Sequence, residues 1–272
     1  MVMRYDDFLR KACPSLDLEW RKYRRRAARH RVNERIEELG LKDYGEYLQR
    51  LRTDPQEADA LPDLMRVTVT RFFRDSKSWE LLQRRVLPEL LTSTPAERPL
   101  KSWSVGCCGG EEPYSLATLW LYGLPPEFSG RSIRILATDI DPDALKRADR
   151  AVYTRSSLRE VPEIFMRSAF RREGDYYRLA PEVRRMVALR RHNLMTDPPP
   201  AEMDLVLARY LPFTYYTGTR RRQAAERLWQ ALRPGGALMI GLKERLSHRE
   251  LELFQPWPET EGLFFRSVRD GA

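Results

Sequence analysis

Two acidic side chains follow a pair of glycines in the run Gly106-Cys107-Cys108-Gly109-Gly110-Glu111-Glu112-Pro113, and two more, Asp139 and Asp141, end an apolar segment about thirty residues on. A glycine-rich turn lets a ligand approach the backbone, and a carboxylate at the end of a neighbouring strand accepts both hydroxyls of a ribose. Glycine-rich turns also occur for packing alone, and the dinucleotide spacing G-x-G-x-x-G is absent here. The acids decide what kind of nucleotide fits. A pyrophosphate needs a helix N-terminus free of negative charge, whereas Glu111 and Glu112 suit a ligand with an ammonium and a sulfonium. That chemistry favours S-adenosylmethionine over NAD, although two acids in a first turn also simply offset a helix dipole.

These residues need a strand, a tight loop and a helix to hold them. Lys101 to Val105 reads as a short buried strand, Pro113 fits a first helical turn, and Leu116, Leu119 and Trp120 recur at helical spacing. Ile133 to Ala137 reads as the second strand, followed by a helix from Asp143 to Ala151. Met203 to Ala208 continues the sheet and runs into Arg209-Tyr210-Leu211-Pro212-Phe213-Thr214-Tyr215-Tyr216. Arg233-Pro234-Gly235-Gly236 is expected to turn into a strand from Ala237 to Leu242, and the tail from Leu251 to Val268 to finish as a hairpin.

Before Lys101 the pattern is helical. The expected organisation is a helical domain over 1–91, a polar linker over 92–100, and an α/β domain over 101–272. An inserted β-rich subdomain is expected at about 152–191, with ten arginines against five acids. Between Trp20 and Arg35 eight basic residues face the single acid Glu34; as one helix, this stretch buries Trp20, Tyr23, Ala27, Ala28, Val32, Ile36 and Leu39. Asp75 or Ser76 is expected to cap the helix that carries Trp79, Leu82 and Val86.

The 272 residues include 42% hydrophobic and 32% charged side chains, with a formal charge of +9. No apolar run approaches a membrane span and the N-terminus has acids where a signal peptide is apolar, so a cytoplasmic protein without membrane insertion is expected. Three cysteines and three histidines offer no metal-ligand spacing, so no metal is expected. The basic excess favours an acidic partner, with nucleic acid as an alternative because arginine contacts phosphate well.

Taken together, Thr70-Arg71-Phe72-Phe73-Arg74-Asp75, Gly110 to Ser115, Ala137-Thr138-Asp139-Ile140-Asp141 and His192-Asn193-Leu194 resemble the CheR-type chemotaxis receptor methyltransferases. Leu39 to Tyr44 with Tyr47 and Leu48 is similar to that family's N-terminal helical domain. The resemblance implies a class I, Rossmann-like S-adenosylmethionine-dependent methyltransferase sheet with an all-helical N-terminal domain and a small inserted β subdomain. It implies methyl transfer to glutamate carboxylates of a chemoreceptor-like protein, with S-adenosylhomocysteine as product. By position it implies cofactor contacts at Thr68, Thr70, Arg74, Gly106, Glu111, Asp139, Asn193, Leu194, Arg209 and Tyr210. Asp139 is assigned the ribose, Arg74 or Arg209 the methionine carboxylate, Glu111 a positive or polar group, and Asn193 with Leu194 the adenine. Tyr215 or Tyr216 is assigned to orient the acceptor, with packing as their alternative role. The acidic partner, a chemoreceptor cytoplasmic domain, is assigned to the basic segment 20–35 and the inserted subdomain. The chain departs from the family's wording at Thr68 and Tyr210, where asparagine is common, and at Lys243-Glu244-Arg245. Those departures leave two alternatives: another acceptor (protein, small molecule or RNA), or a non-catalytic S-adenosylmethionine-binding protein.

Overall fold

The computed structural model describes residues 3–66 and 70–267, and the chain divides into two compact units. The larger comprises Val69–Tyr210 and Ala224–Ala272, the smaller Met1–Thr68 and Leu211–Gln223.

The larger unit contains β1 (Leu100–Val105), β2 (Ile133–Asp139), β3 (Val152–Thr154), β4 (Phe170–Glu173), β5 (Tyr176–Leu179), β6 (Val187–Arg191), β7 (Met203–Leu207), β8 (Leu232–Met239), β9 (Phe254–Pro256) and β10 (Leu263–Arg266). Seven of these form one sheet in the order β6-β2-β1-β7-β8-β10-β9. Pairs β6-β2, β2-β1, β1-β7 and β7-β8 are parallel, whereas β10 runs antiparallel to β8 and to β9. The strands near the middle are buried almost throughout, as a parallel sheet covered by helices on both faces requires. The strand order reverses at β1, so a crevice opens beyond its C-terminal end, where open α/β sheets bind ligands. This is the expected class I architecture.

The inserted sheet is smaller than expected. β3, β5 and β4 make a separate antiparallel sheet, but β6 pairs in parallel with β2, from Ile135 opposite Val187 to Asp139 opposite Arg191. The strand read at Met186 to Leu189 therefore belongs to the main sheet. As its edge, it alternates half-buried and exposed residues, a pattern that also suits a solvated antiparallel strand. Arg233 to Gly236 is not a turn before a strand but an irregularity inside β8, with Gly235 at φ 72°.

The boundary expected at 92–100 falls within the larger unit. Residues 76–92 form two helical stretches, Ser76–Leu81 and Leu87–Thr92, joined by a π-helical turn. Their Trp79, Leu82, Val86, Leu90 and Leu91 share one core with Leu100, Leu116, Leu119 and Leu205. The polar stretch that resembles a linker is pinned. Arg131 donates to the carbonyls of Leu91 (2.9 Å) and Thr94 (2.9 Å), and Arg98 pairs with the buried Asp204.

In the smaller unit four helices, Tyr5–Ala12, Arg26–Glu38, Tyr44–Thr53 and Pro55–Leu64, enclose Phe8, Leu9, Val32, Ile36, Tyr47 and Leu61. Asp43 and Asp54 cap the last two. The basic stretch is not one helix: Trp20–Tyr23 is a 3-10 turn, Arg25 is extended, and the α-helix starts at Arg26. Leu18 bridges antiparallel to Tyr216 and the Glu19 N–H donates to the Tyr215 carbonyl at 2.9 Å, just before that 3-10 turn. Tyr23, Ala28, Val32 and Ile36 are buried as expected, but Ala27 is exposed, and Trp20 and Leu39 are half-buried. Among the described residues no helix is long and apolar enough to cross a membrane.

Candidate active site

At the end of β1 the chain turns through Gly106 (φ 69°), Cys108 (φ 49°) and Gly110 (φ 88°) before the helix Glu111–Gly123 begins. This left-handed geometry is tied to β2. The Cys107 N–H donates to the Thr138 carbonyl at 2.9 Å, and the Cys108 N–H to Asp139 Oδ2 at 2.8 Å. Asp139 Oδ1 accepts the Asp141 N–H at 2.9 Å. The Asp139 carboxylate is thus fixed at the C-terminal end of β2 by two backbone N–H groups.

Glu111 is the first residue of that helix and is buried at 7% exposure. A Cβ on Gly109 would stand 2.8 Å from Glu111 Oε2, so a side chain there would displace this carboxylate. Oε2 has no hydrogen-bond partner among the described residues, and burial pushes the group up to about 7, above the ordinary 4.5. A buried carboxyl with one oxygen lacking a hydrogen-bond partner, in the first turn after the glycine loop, suits a cationic ligand group. Glu112, its neighbour, is instead occupied: Oε1 accepts the Ser104 hydroxyl at 2.8 Å and Oε2 lies 3.7 Å from Arg209 Nη1.

Arg209 and Tyr210 leave β7 into a buried polar cluster centred on Asp75. Asp75 Oδ2 accepts from Arg209 Nη2 (2.9 Å), the Tyr210 hydroxyl (2.7 Å) and the Leu242 N–H (3.3 Å). Burial alone would raise this carboxyl, but the Tyr210 hydrogen bond and the Arg209 charge hold it below its ordinary range. Asp75 occupies the N-cap position of the helix Ser76–Leu81 yet makes no side-chain capping bond. In place of a cap the carboxylate binds Arg209, Tyr210 and the Leu242 N–H. Arg209 also donates to the Arg74 carbonyl, while the Arg74 guanidinium lies 3.7 Å from the centre of the Tyr210 ring. Glu244 accepts the N–H groups of Tyr210 (2.8 Å) and Gly241 (2.7 Å).

The remaining expected residues divide into three groups. Asn193 and Leu194 follow β6 next to Asp139, whose carbonyl accepts the His192 N–H at 3.1 Å; Leu194 is buried and Asn193 Oδ1 accepts the Met195 N–H. Thr70 opens the segment that carries Arg74, and Thr68 lies outside the described residues. Tyr215 and Tyr216 belong to the smaller unit, where Tyr215 packs 5.3 Å from Tyr23 and Tyr216 lies under the Arg220 guanidinium. Asp75, Cys108, Glu112 and Glu244 contact the expected residues but are not among those expected from the sequence. Their only signal was adjacency: Asp75 follows Arg74, Cys108 and Glu112 flank Glu111's turn, and Glu244 stands in the divergent tail.

A parallel sheet reversing at β1, an acid fixed at the tip of β2 and an unpaired buried carboxyl at the first helix define a class I S-adenosylmethionine-dependent methyltransferase. Residues 68–262 match the family model described as CheR methyltransferase, SAM binding domain, and residues 17–65 that described as CheR methyltransferase, all-alpha domain; the chain belongs to the CheR methyltransferase family. It is 34% identical to a chemotaxis protein methyltransferase of Listeria innocua over 88% of both chains, and 33% identical to that of Listeria monocytogenes over the same shares. Chemotaxis protein methyltransferase 2 of Vibrio cholerae is 30% identical, over 79% of this chain and 74% of its own.

Proposed function

We propose that this enzyme methylates glutamate side chains of a chemoreceptor-like protein. Relatives along most of the chain are chemotaxis protein methyltransferases, and the observation that carries the acidic partner is a cationic groove in the smaller unit. That groove, about 690 Å³, is lined by Arg4, Arg24, Arg25, Arg26 and Arg29 against the single acid Asp6. Two of the expected docking arginines have other work: Arg35 binds the buried Glu57 through Nε (3.0 Å) and Nη2 (2.7 Å), and Arg31 donates to the Leu64 carbonyl at 2.6 Å. The acidic partner is assigned to the groove and to the arginine-rich inserted sheet.

When bound, S-adenosylmethionine would supply a methyl group on positively charged sulfur; a glutamate carboxylate, already ionised near neutral pH, would take it without a base as the sulfur–methyl bond breaks and S-adenosylhomocysteine leaves. Asp139 takes the ribose hydroxyls, and Asn193 and Leu194 take the adenine. Glu111 takes the cationic end. Arg74 takes the carboxylate, because Arg209 is committed to Asp75, Glu112 and the Arg74 carbonyl. Gly106 lets the backbone approach, and Thr68 and Thr70 remain assigned to the cofactor side. Tyr215 and Tyr216, five and six residues beyond Tyr210, orient the acceptor. The chain contributes position and dehydration, worth on the order of 7–11 kcal/mol in the best intramolecular cases.

Incubating the protein with methyl-labelled cofactor and receptor cytoplasmic domains tests the reading. Base-labile label on glutamates is expected; label absent from glutamates, or placed on another acceptor, refutes it.

A further inference from the structure

Tyr210 holds a backbone conformation that its side chain disfavours. At φ 56° it lies in the left-handed region, where bulky residues are rare and asparagine is much better tolerated. Its surroundings enforce the position. The N–H is held by Glu244 at 2.8 Å, the hydroxyl by Asp75 at 2.7 Å, and the ring sits so close to Gly241 that a Cβ there would be 2.6 Å from Cζ. Strain kept by several independent contacts points to a use for the side chain. On that ring lies the Arg74 guanidinium, 3.7 Å from its centre, with no ion-pair carboxylate among the described residues.

We propose that Tyr210 is a positioning residue, a platform whose ring holds the Arg74 guanidinium ready for the carboxylate of the cofactor. This deepens the assignment of Arg74 made above and rests on it. A stacked guanidinium keeps its N–H groups in the plane, directed outward, where a carboxylate can take two of them. It also loses less rotamer freedom on binding than an arginine reaching through water. The aromatic ring, not the phenol, contacts Arg74; the phenol keeps the ring in place through Asp75. Arg209 fixes the same assembly from behind by holding both Asp75 and the Arg74 carbonyl.

Two ligands separate platform from scaffold. S-Adenosylhomocysteine carries the amino-acid carboxylate, and 5′-methylthioadenosine is the same nucleoside thioether without it. By calorimetry, Arg74→Met is expected to weaken the first at least about tenfold and leave the second within about twofold. Tyr210→Asn, which suits the backbone, and Gly241→Ala, which displaces the ring, are both expected to weaken S-adenosylhomocysteine about threefold to thirtyfold, the range of a cation–π contact. Both should spare 5′-methylthioadenosine. Tyr210→Phe keeps the ring but loses its Asp75 anchor and should fall between the parent and Tyr210→Asn for S-adenosylhomocysteine, and Tyr210→Asn should add nothing in an Arg74→Met background. Equal loss of both ligands, or no loss of S-adenosylhomocysteine, in Tyr210→Asn and Gly241→Ala overturns the platform. If Arg74→Met itself fails to distinguish the ligands, the Arg74 assignment falls first and the platform with it. If Arg74→Met distinguishes them and the Tyr210 variants do not, only the platform falls.

Discussion

Replacing Glu111 with glutamine tests whether an unpaired buried carboxyl is reserved for the cofactor. The side chain is 7% exposed, Oε2 is without a partner among the described residues, and burial moves the group from 4.5 to about 7. The unfolded chain ionises near the ordinary value and the folded chain near 7, so the folded state binds more protons in between. Stability therefore falls as pH rises through this window and levels off above it. Two to three units at about 1.36 kcal/mol each make roughly 3 kcal/mol, less up to about 1 kcal/mol for favourable contact with the helix dipole. Glu111→Gln cannot ionise. In urea denaturation without cofactor, the variant should match the parent at pH 5 and exceed it by about 2–3 kcal/mol at pH 8.5. Binding should move the opposite way. If a cationic group of S-adenosylmethionine needs the carboxylate, parent affinity should rise about tenfold from pH 6 to pH 8, as the ionised fraction grows from about a tenth to about nine-tenths. The variant should be weaker at pH 8 and flat across the range. Equal pH slopes in parent and variant, in either experiment, would refute the reasoning.

Asp139→Ala should cost about 1–3 kcal/mol of cofactor affinity through lost ribose hydrogen bonds, and unchanged calorimetric affinity would reject that assignment. Arg35→Met should destabilise the fold by about 1–3 kcal/mol, because buried Glu57 loses its counter-charge and keeps only the Tyr47 hydroxyl at 2.8 Å; a denaturation midpoint within error of the parent would return Arg35 to the docking surface. Reversing Arg25, Arg26 and Arg29 together should raise KM for the acidic protein and spare cofactor affinity, whereas equal loss of both would mean misfolding. Tyr215→Phe and Tyr216→Phe report on acceptor orientation, with a kcat loss of about tenfold or more expected in one of them; unchanged turnover in both would end that role.

The catalytic half of the sheet was legible because its signals are local. Glycines beside β1, an aspartate ending β2 and helical spacing after Pro113 each depend on residues within a few positions. Residues 76–91 read as part of the helical domain since helical periodicity says nothing about which core a helix joins; Leu90 and Leu91 pack with Leu100 and Leu205. β6 reads as part of the insertion because an edge strand and a solvated antiparallel strand share one burial pattern. The basic stretch reads as a single helix because its apolar spacing continues across Arg24 and Arg25, where the backbone leaves helical geometry.

Backbone strain explains why the core of the site was the least legible part. Of the eight non-glycine residues with positive φ among those described, four, Phe73, Asp75, Cys108 and Tyr210, belong to the site loops. Each donates its N–H to a side-chain oxygen far along the chain: Phe73 to Ser115, Asp75 to Glu160, Cys108 to Asp139 and Tyr210 to Glu244. A left-handed residue of this kind costs on the order of 1–2 kcal/mol and persists only where its surroundings over-determine it. Here the restraint is the same in all four cases, an oxygen delivered by a separate element. Local propensity argues against these conformations, so no window of sequence around Phe73, Asp75, Cys108 or Tyr210 announces them. The acceptors are equally silent, since Ser115, Glu160 and Glu244 read as ordinary polar residues until the fold delivers them. The loops that carry Arg74, Glu111 and Arg209 are therefore held by tertiary contacts. The same contacts that place those three side chains are the ones sequence periodicity cannot encode.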